Sequence, residues 1–460
     1  DRPDQHTKCS LDYCGRQQQE VCTHPNPSIH LSPIGECIGW VRRKSLFFLI
    51  PFAAEAALLH SAGVSFVETF HRLPLGQWRD RSNAATPDKV LQALQGSGSV
   101  MQRFMALVSP EAEKHLEQLC HASNTITQQR FGKVIRLFAP LYLSNECINN
   151  CQYCGFSRDN PILRVTLEVD EVVREAREIG SQGFRNILLV AGEHPKFVSS
   201  GYMETCLKAL KPTVPGLSLE VGPMETDEYR PMVQAGAEGL IVYQETYDPE
   251  IYQQMHTAGP KKDFDWRLVT PERAYEAGFR RLGIGALFGL ADWRHEALAL
   301  AAHTEYLLKT CWKAQITLSF PRLRPCAGSF QPLTHLSDMH LVQLITAFRI
   351  CFPDVGLVLS TREPSSLRNG LIPLGITLMS AGSHTEPGGY TGAGQENLHQ
   401  TTKGRIIPLV EGSSEWENGS AQATGQFDIA DERTPTEMAE QIRSSGYEPV
   451  WKDWDAAILS

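Results

Sequence analysis

The sequence predicts an α/β protein built on a (β/α)8 barrel of the TIM type, with a helical preface on its N-terminal side. Three observations carry this expectation. From residue 134 onward, apolar β-rich runs alternate with amphipathic helical stretches. Alternation of that kind makes a parallel sheet with right-handed crossovers. Eight such runs follow one another over about 250 residues, the size of a closed barrel. An open doubly wound sheet shares the same periodicity and is the runner-up.

Residues 1–63 stand apart. They are rich in Gln, His, Pro and Cys and show no sustained periodicity. Arg42-Arg43-Lys44 and the apolar run at 46–59 imitate a secretory leader, but that run carries Pro51 and Glu55 and begins far from the chain start. A divergent, poorly ordered extension is the preferred reading over a leader. Cys9, Cys14, Cys22 and Cys37 fit no standard ligand spacing. Residues 64–133 read as helical, because Val100, Phe104, Leu107, Val108, Leu116, Leu119 and Ile126 recur at three and four positions.

The barrel is expected over 134–398. Its strand candidates are 135–143, 186–190, 217–221, 239–243, 282–287, 315–320, 355–360 and 376–380. Helical patterns at 169–179, 202–210, 295–308 and 340–351 lie between them. One further helix has marked ends: Thr270 as its cap, Pro271 in its first turn and Gly278 at its stop. Residues 399–425 are loop-like and read as a surface insertion. Residues 426–460 read as a tail with a short helix around 436–445.

The composition excludes several classes. With 42% hydrophobic and 21% charged residues, the chain has material for a sizeable core, so wholesale disorder is excluded. A net charge of -9 argues against nucleic acid or anionic lipid as partner. No uninterrupted apolar run is long enough for a membrane span. Twelve cysteines are too sparse for a disulfide scaffold, and three of them fall within eight residues. A cytoplasmic, reducing setting with metal-binding thiolates follows as the expectation.

Those three, Cys147, Cys151 and Cys154, form a C-x3-C-x2-C run just beyond the first strand candidate. In barrels, the C-terminal ends of the strands carry the active site. Soft thiolates select iron–sulfur, Zn or Cu(I). Structural zinc needs four ligands, and no fourth Cys or His sits at the usual spacing. Three thiolates on a 4Fe-4S cluster leave one iron open to a substrate. Chance spacing is the bland alternative, and the strand-end position argues against it.

The triplet matches the radical S-adenosylmethionine (SAM) superfamily, and its surroundings narrow the match. Pro140–Asn145 before it and Gly155-Phe156-Ser157 after it resemble the 2-iminoacetate synthase family. So do Val190–His194, Val242–Tyr247, Lys262–Leu268, Ser319–Pro325, Leu359–Glu363, Pro387–Tyr390 and Val450–Asp455. The resemblance runs from about 66 to 455, interrupted at 399–425. It implies that Cys147, Cys151 and Cys154 hold a 4Fe-4S cluster whose open iron chelates SAM. It implies a 5′-deoxyadenosyl radical that takes hydrogen from the amino group of L-tyrosine. The Cα–Cβ bond then breaks, giving 2-iminoacetate and p-cresol for the thiazole of thiamine. A flavodoxin or ferredoxin-type reductant and thiazole synthase (ThiG) are the partners it implies.

Site residues can be placed on the same resemblance. Gly192 and Glu193 face the SAM ammonium, Phe156 lies beside the adenine, Glu245 holds ribose hydroxyls or the ammonium, and Arg267 takes the SAM carboxylate. Arg322 or, by preference, Arg324 clamps the tyrosine carboxylate, with Ser360 and Arg362 completing the clamp. Tyr142 and Ser144 line the pocket. Cys326 reads as inert, the cysteines at 120, 206, 311 and 351 as small core residues, and His194 and His256 as structural. Gly283, Gly285 and Gly289 lack a Rossmann arrangement. The rivals are a HydG-like maturase, which needs further cysteines that the 109 residues after Cys351 do not supply, another radical SAM enzyme with a different substrate, and a non-catalytic iron–sulfur sensor.

Overall fold

The computed structural model describes residues 64–402, 405–408 and 425–451. The extension at 1–63 with its four cysteines, the centre of the 399–425 segment and the last residues of the tail lie outside the described residues.

Eight parallel strands close into a barrel: β1 (Val134–Ser144), β2 (Asn186–Ala191), β3 (Gly216–Glu220), β4 (Gly239–Ile241), β5 (Arg281–Gly285), β6 (Gln315–Ser319), β7 (Gly356–Leu359) and β8 (Leu378–Ser380). The runner-up open sheet is therefore excluded. Closure rests on β1, which is long because it works twice. Arg136, Leu137 and Phe138 pair with β8, while Ala139 to Ser144 pair with β2. Burial alternates along its first half, as a strand with one inward and one outward face requires.

The tail adds something that the sequence pattern did not signal. After the helix Pro435–Ser444, residues Glu448–Val450 form β9, a parallel partner for Val134 to Arg136 on β1. Trp451 then packs edge-on against Phe184 with centroids 5.1 Å apart.

Helices wrap the barrel. In Trp293–Thr310, the alanines 297, 299, 301 and 302 are all fully buried, and small side chains let that helix approach its neighbours closely. The preface runs through Phe66–Phe70, Leu75–Asn83, Pro87–Leu94, Val100–Leu107 and Leu116–Phe131. It docks on the helix Asp338–Cys351, where Phe104 meets Phe348 at 4.6 Å and Gln343 donates to the carbonyls of Leu107 and Ser109.

Two local expectations need correction. Thr270 is not the cap of its helix; the cap is Val269, and the Thr270 hydroxyl donates to the Trp266 carbonyl at 3.2 Å. The stop is as expected, with Gly278 in the left-handed region at φ +118°. The 399–425 segment is not loop throughout, since His399–Thr402 pairs with Arg405–Pro408 in an antiparallel hairpin. Cys206, Cys311 and Cys351 are buried as expected, whereas Cys120 is partly exposed. Among the described residues, no helix is long and apolar enough to cross a membrane.

Arg349 offers a test of how the preface side of the barrel is held. It is fully buried and donates to the carbonyls of Pro353, Val355 and Gly375 at 2.7–2.8 Å. Burial pushes its pKa down to about 10. Arg349→Met leaves three carbonyls, two of them buried, without this donor and should lower the unfolding free energy by about 2–4 kcal/mol. Urea unfolding of the two proteins measures that difference.

Candidate active site

β1 delivers the three cysteines to the mouth of the barrel. Its register with β2 slips between Tyr142 and Ser144, and such an irregularity re-aims the neighbouring side chains. Ser144 is fully buried, bonded to the Thr166 hydroxyl at 2.7 Å and accepting the Glu146 amide at 3.1 Å. It anchors the loop and does not line the barrel cavity, contrary to expectation.

The cysteine loop has little regular structure beyond a ribbon between Asn150–Cys151 and His256–Ala258. Its shape is set by Arg164, which is 2% exposed. The guanidinium donates to the carbonyls of Asn145 at 2.6 Å, Phe156 at 3.1 Å and Ser157 at 2.7 Å. One planar fork thus ties the two ends of the loop together. Asn160 adds donations to the carbonyls of Cys154 and Gly155, both at 3.0 Å. Two glycines permit the packing. A Cβ on Gly192 would lie 2.2 Å from the Glu146 carbonyl oxygen, and one on Gly155 would lie 2.4 Å from that of Gln426.

The described ends of the 399–425 region pack on this loop. His399 sits 2.7 Å from the buried Glu146 and exchanges backbone hydrogen bonds with Arg164. Just beyond its other end, the Gln426 carbonyl accepts the Gly155 amide at 3.2 Å, and Gln426 Oε1 accepts the Tyr142 hydroxyl at 2.8 Å.

All three cysteines are free thiols; Cys151 is buried, and Cys147 and Cys154 are partly exposed. Burial pushes the Cys154 thiol up to about 11 and raises that of Cys151 further, while Lys261 pulls both down. Binding a metal through Cys151 and Cys154 would release their protons. Among the described residues, no three Cys, His, Asp or Glu side chains converge on a single ion. A cubane asks for something else, because each thiolate binds a different iron and the sulfurs stand further apart. Three soft donors on one loop, tied at both ends, fit such a cluster.

Beside the loop lie the residues expected to meet SAM. Glu193 accepts from the Asn149 amide at 2.7 Å, and its carbonyl accepts the Ile148 amide at 2.9 Å. Gly192 and Glu193 line an open pocket together with Ile148, Gly222 and Pro260. Glu245 is the one non-glycine residue with positive φ among the described residues, at +72°. Such strain persists only where surroundings impose it. Here Lys261 bonds its carboxylate at 2.6 Å and Arg267 at 3.2 Å. Burial alone would raise the carboxyl, but the two cations more than reverse this and hold it below its ordinary range. Arg267 is 8% exposed and also donates to the Tyr243 carbonyl at 2.7 Å, so its pair with Glu245 is buried rather than superficial. Phe156 is buried edge-on to Tyr142 at 5.8 Å, with its amide directed at the Cys154 sulfur. His256 is structural: its ring bonds Tyr153 and the Tyr252 carbonyl, both at 2.8 Å, and burial pushes its pKa down to about 3.

Inside the mouth, a cavity is lined by Tyr142, Glu220, Tyr243, Ser360, Arg362 and Phe427, among others. The Arg362 guanidinium stacks on Phe427, 3.3 Å from the ring centroid. Burial pushes Glu220 up to about 7 against the pull of Arg362. Arg324 is not part of this wall. It lines a separate cleft with Leu323, His335 and Glu363. Arg322 is committed to Glu363, to Asp338 at 2.7 Å and to the Leu336 carbonyl. Of the two arginines expected in the clamp, Arg362 therefore lines this cavity and Arg324 does not. Sequence reasoning missed Arg164, Asn149, Lys261, Glu220 and Gln426. Asn149 lies inside the cysteine run itself, and Lys261 lies immediately before the 262–268 block.

With the geometry in place, the chain can be set beside known proteins. Residues 141–301 match the radical SAM superfamily, and 319–448 match the biotin and thiamin synthesis associated domain. The 2-iminoacetate synthase of Escherichia coli (strain K12) is 40% identical over 395 residues, covering 86% of this chain and 98% of that protein. The 2-iminoacetate synthase of Salmonella typhimurium is 38% identical, covering 85% and 97%. Among solved structures, the FeFe-hydrogenase maturase HydG from Carboxydothermus hydrogenoformans aligns with a TM-score of 0.71 at 31% identity, covering 87% of this chain and 86% of that one. A barrel of the radical SAM kind, a three-cysteine loop at the end of its first strand and near full-length identity to two synthases place this chain in the 2-iminoacetate synthase family.

Proposed function

We propose that the chain is a radical SAM tyrosine lyase that cleaves the Cα–Cβ bond of L-tyrosine to 2-iminoacetate and p-cresol. 5′-Deoxyadenosine and methionine are the co-products, and the imine serves the thiazole of thiamine. A 4Fe-4S cluster held by Cys147, Cys151 and Cys154 supplies, when bound, the electron that cleaves SAM. A flavodoxin or ferredoxin-type donor feeds that site, and thiazole synthase is the expected consumer of the unstable imine.

One observation carries the substrate reading. The cavity beside the cysteine loop sets a cation, Arg362, and a carboxyl, Glu220, among aromatic walls formed by Tyr142, Tyr243, Phe320 and Phe427. That combination suits an aromatic amino-acid zwitterion. Arg362 offers a bidentate fork to the carboxylate, with Ser360 beside it. Its stacking on Phe427 fixes the fork before substrate arrives, which reduces the ordering left to do on binding. Glu220 faces the ammonium and, with a pKa of about 7, can take a proton from it. Hydrogen abstraction needs near contact, so both ends of the backbone of tyrosine must be held. On the cosubstrate side, Gly192, Glu193 and Glu245 offer carbonyl and carboxylate oxygens to the SAM ammonium and ribose. Arg267 keeps Glu245 in its strained pose and offers charge to the SAM carboxylate.

Anaerobic reconstitution followed by a p-cresol assay tests the whole reading. Wild-type chain should take up iron and sulfide, cleave SAM with dithionite and form p-cresol from tyrosine. Cys151→Ala should lose iron and all SAM cleavage. A chain loaded with zinc alone, or with a cluster indifferent to SAM, overturns the reading. Arg362→Lys keeps the charge but loses the fork, so kcat/KM for tyrosine should fall roughly ten- to hundredfold while SAM affinity holds. Glu220 accepts a proton only when ionised, so p-cresol formation should rise with pH through about 7. Glu220→Gln should flatten that limb, and an unaltered profile would remove Glu220 from the proton path.

A further inference from the structure

Cluster potentials respond to hydrogen bonds reaching the cluster sulfurs. A donor placed on a thiolate stabilises its negative charge and so favours the reduced cluster. Two side-chain amides reach the outer cysteines. Asn149 Nδ2 lies 3.7 Å from Cys147 Sγ, and Gln426 Nε2 lies 3.9 Å from Cys154 Sγ. The two are not equivalent. Asn149 sits within the loop and also serves Glu193 at 2.7 Å and the Lys261 amide at 2.9 Å. Gln426 arrives from 272 residues away in the sequence.

The surroundings of Gln426 aim it. Its Oε1 accepts the Tyr142 hydroxyl at 2.8 Å, which leaves Nε2 as the end that faces Cys154. Its backbone is pinned on both sides: its carbonyl accepts the Gly155 amide at 3.2 Å, and its own amide donates to the Thr385 carbonyl at 3.0 Å. The missing Cβ of Gly155 is what lets this backbone come so near. Tyr142 is itself a wall of the substrate cavity, and burial raises its pKa well above the usual phenol range, so it stays a hydrogen donor.

We propose that Gln426 is a positioning residue that raises the reduction potential of the cluster through Cys154, and that the Tyr142 hydroxyl aims it, so one side chain links the substrate cavity wall to the cluster. This rests on the cluster reading of the three cysteines. The link has a consequence for order of events. Whatever presses on Tyr142 from the cavity is felt at a cluster thiolate, so occupancy of the cavity and ease of reduction are coupled.

The test is an EPR-monitored redox titration of anaerobically reconstituted full-length chain, with iron content measured alongside. Gln426→Met keeps length and volume but loses the donor, and its midpoint should fall below wild type at equal iron content. Gln426→Glu puts a negative charge in the same place and should fall further. Tyr142→Phe keeps Gln426 but releases its aim, and should shift in the same direction by less. A methionine variant with full iron and a wild-type midpoint overturns the proposal, and so does a phenylalanine variant that leaves the midpoint unmoved. Should the Gln426 variants lose iron, the Tyr142→Phe midpoint alone decides, because that change leaves the loop packing in place. A wild-type chain that binds no cluster sinks the cluster reading itself, which is a different outcome from a cluster whose potential ignores Gln426.

Discussion

The loop that carries the three cysteines has little regular structure beyond one short ribbon, so its shape has to be imposed from outside. The buried guanidinium of Arg164 imposes it. Its bonds to the Asn145, Phe156 and Ser157 carbonyls bring the start and end of the loop to one point. No acid forms a close ion pair with it among the described residues; Glu146 lies near enough to raise its pKa, while burial lowers it. Carbonyls as acceptors leave the cation with net positive field, and it faces the loop that carries the three cysteines. A lysine could not do this, because a point charge with rotating donors does not bridge two chain segments in one plane.

The electrostatics of the site follow from that arrangement. Buried thiols resist ionisation, and the positive side chains nearby, Arg164 and Lys261, offset part of the resistance. Lys261 has a second duty: its ammonium bonds Glu245 at 2.6 Å. The same cation thus faces the cysteine loop and the strained end of the fourth strand segment. Charge balance at the mouth is shared between the cluster side and the cosubstrate side, so neither can be altered alone.

Much of the barrel was legible because strand–helix alternation is a local property. Each of the eight strand candidates overlaps an observed strand, with ends differing by one or two residues. The cysteine loop was legible for the same reason, since its spacing is written in eight consecutive residues. β9 was not, because Glu-Pro-Val is too short to show a period and owes its form to the exposed edge of β1. Arg324 and Arg362 looked alike in sequence, each shortly after a strand. Which one turns inward depends on the path of the chain beyond the strand, and Arg362 is captured by Phe427, a residue 65 positions away. Arg164 gave no signal either, since an arginine inside an apolar run is indistinguishable from a surface charge until the carbonyls around it are known.

The preface earns its place in the site through a relay of buried contacts. Phe66, in its first helix Phe66–Phe70, stacks on His303 with ring centroids 4.0 Å apart. His303 Nδ1 bonds the Tyr247 hydroxyl at 2.8 Å, and burial drives its pKa down to about 3, so it stays neutral. The Tyr247 amide and the Thr246 hydroxyl both donate to Glu296, a buried carboxyl pushed up to about 8. Thr246 and Tyr247 directly follow Glu245, the residue at φ +72°. Left-handed backbone at a glutamate is unfavourable by roughly 1–3 kcal/mol and must be held by its neighbours. Lys261 and Arg267 hold its side chain, while Glu296 holds the two residues after it. The relay explains why a helix outside the barrel is packed so tightly around one histidine: it closes the back of the turn that presents a carboxylate to the mouth.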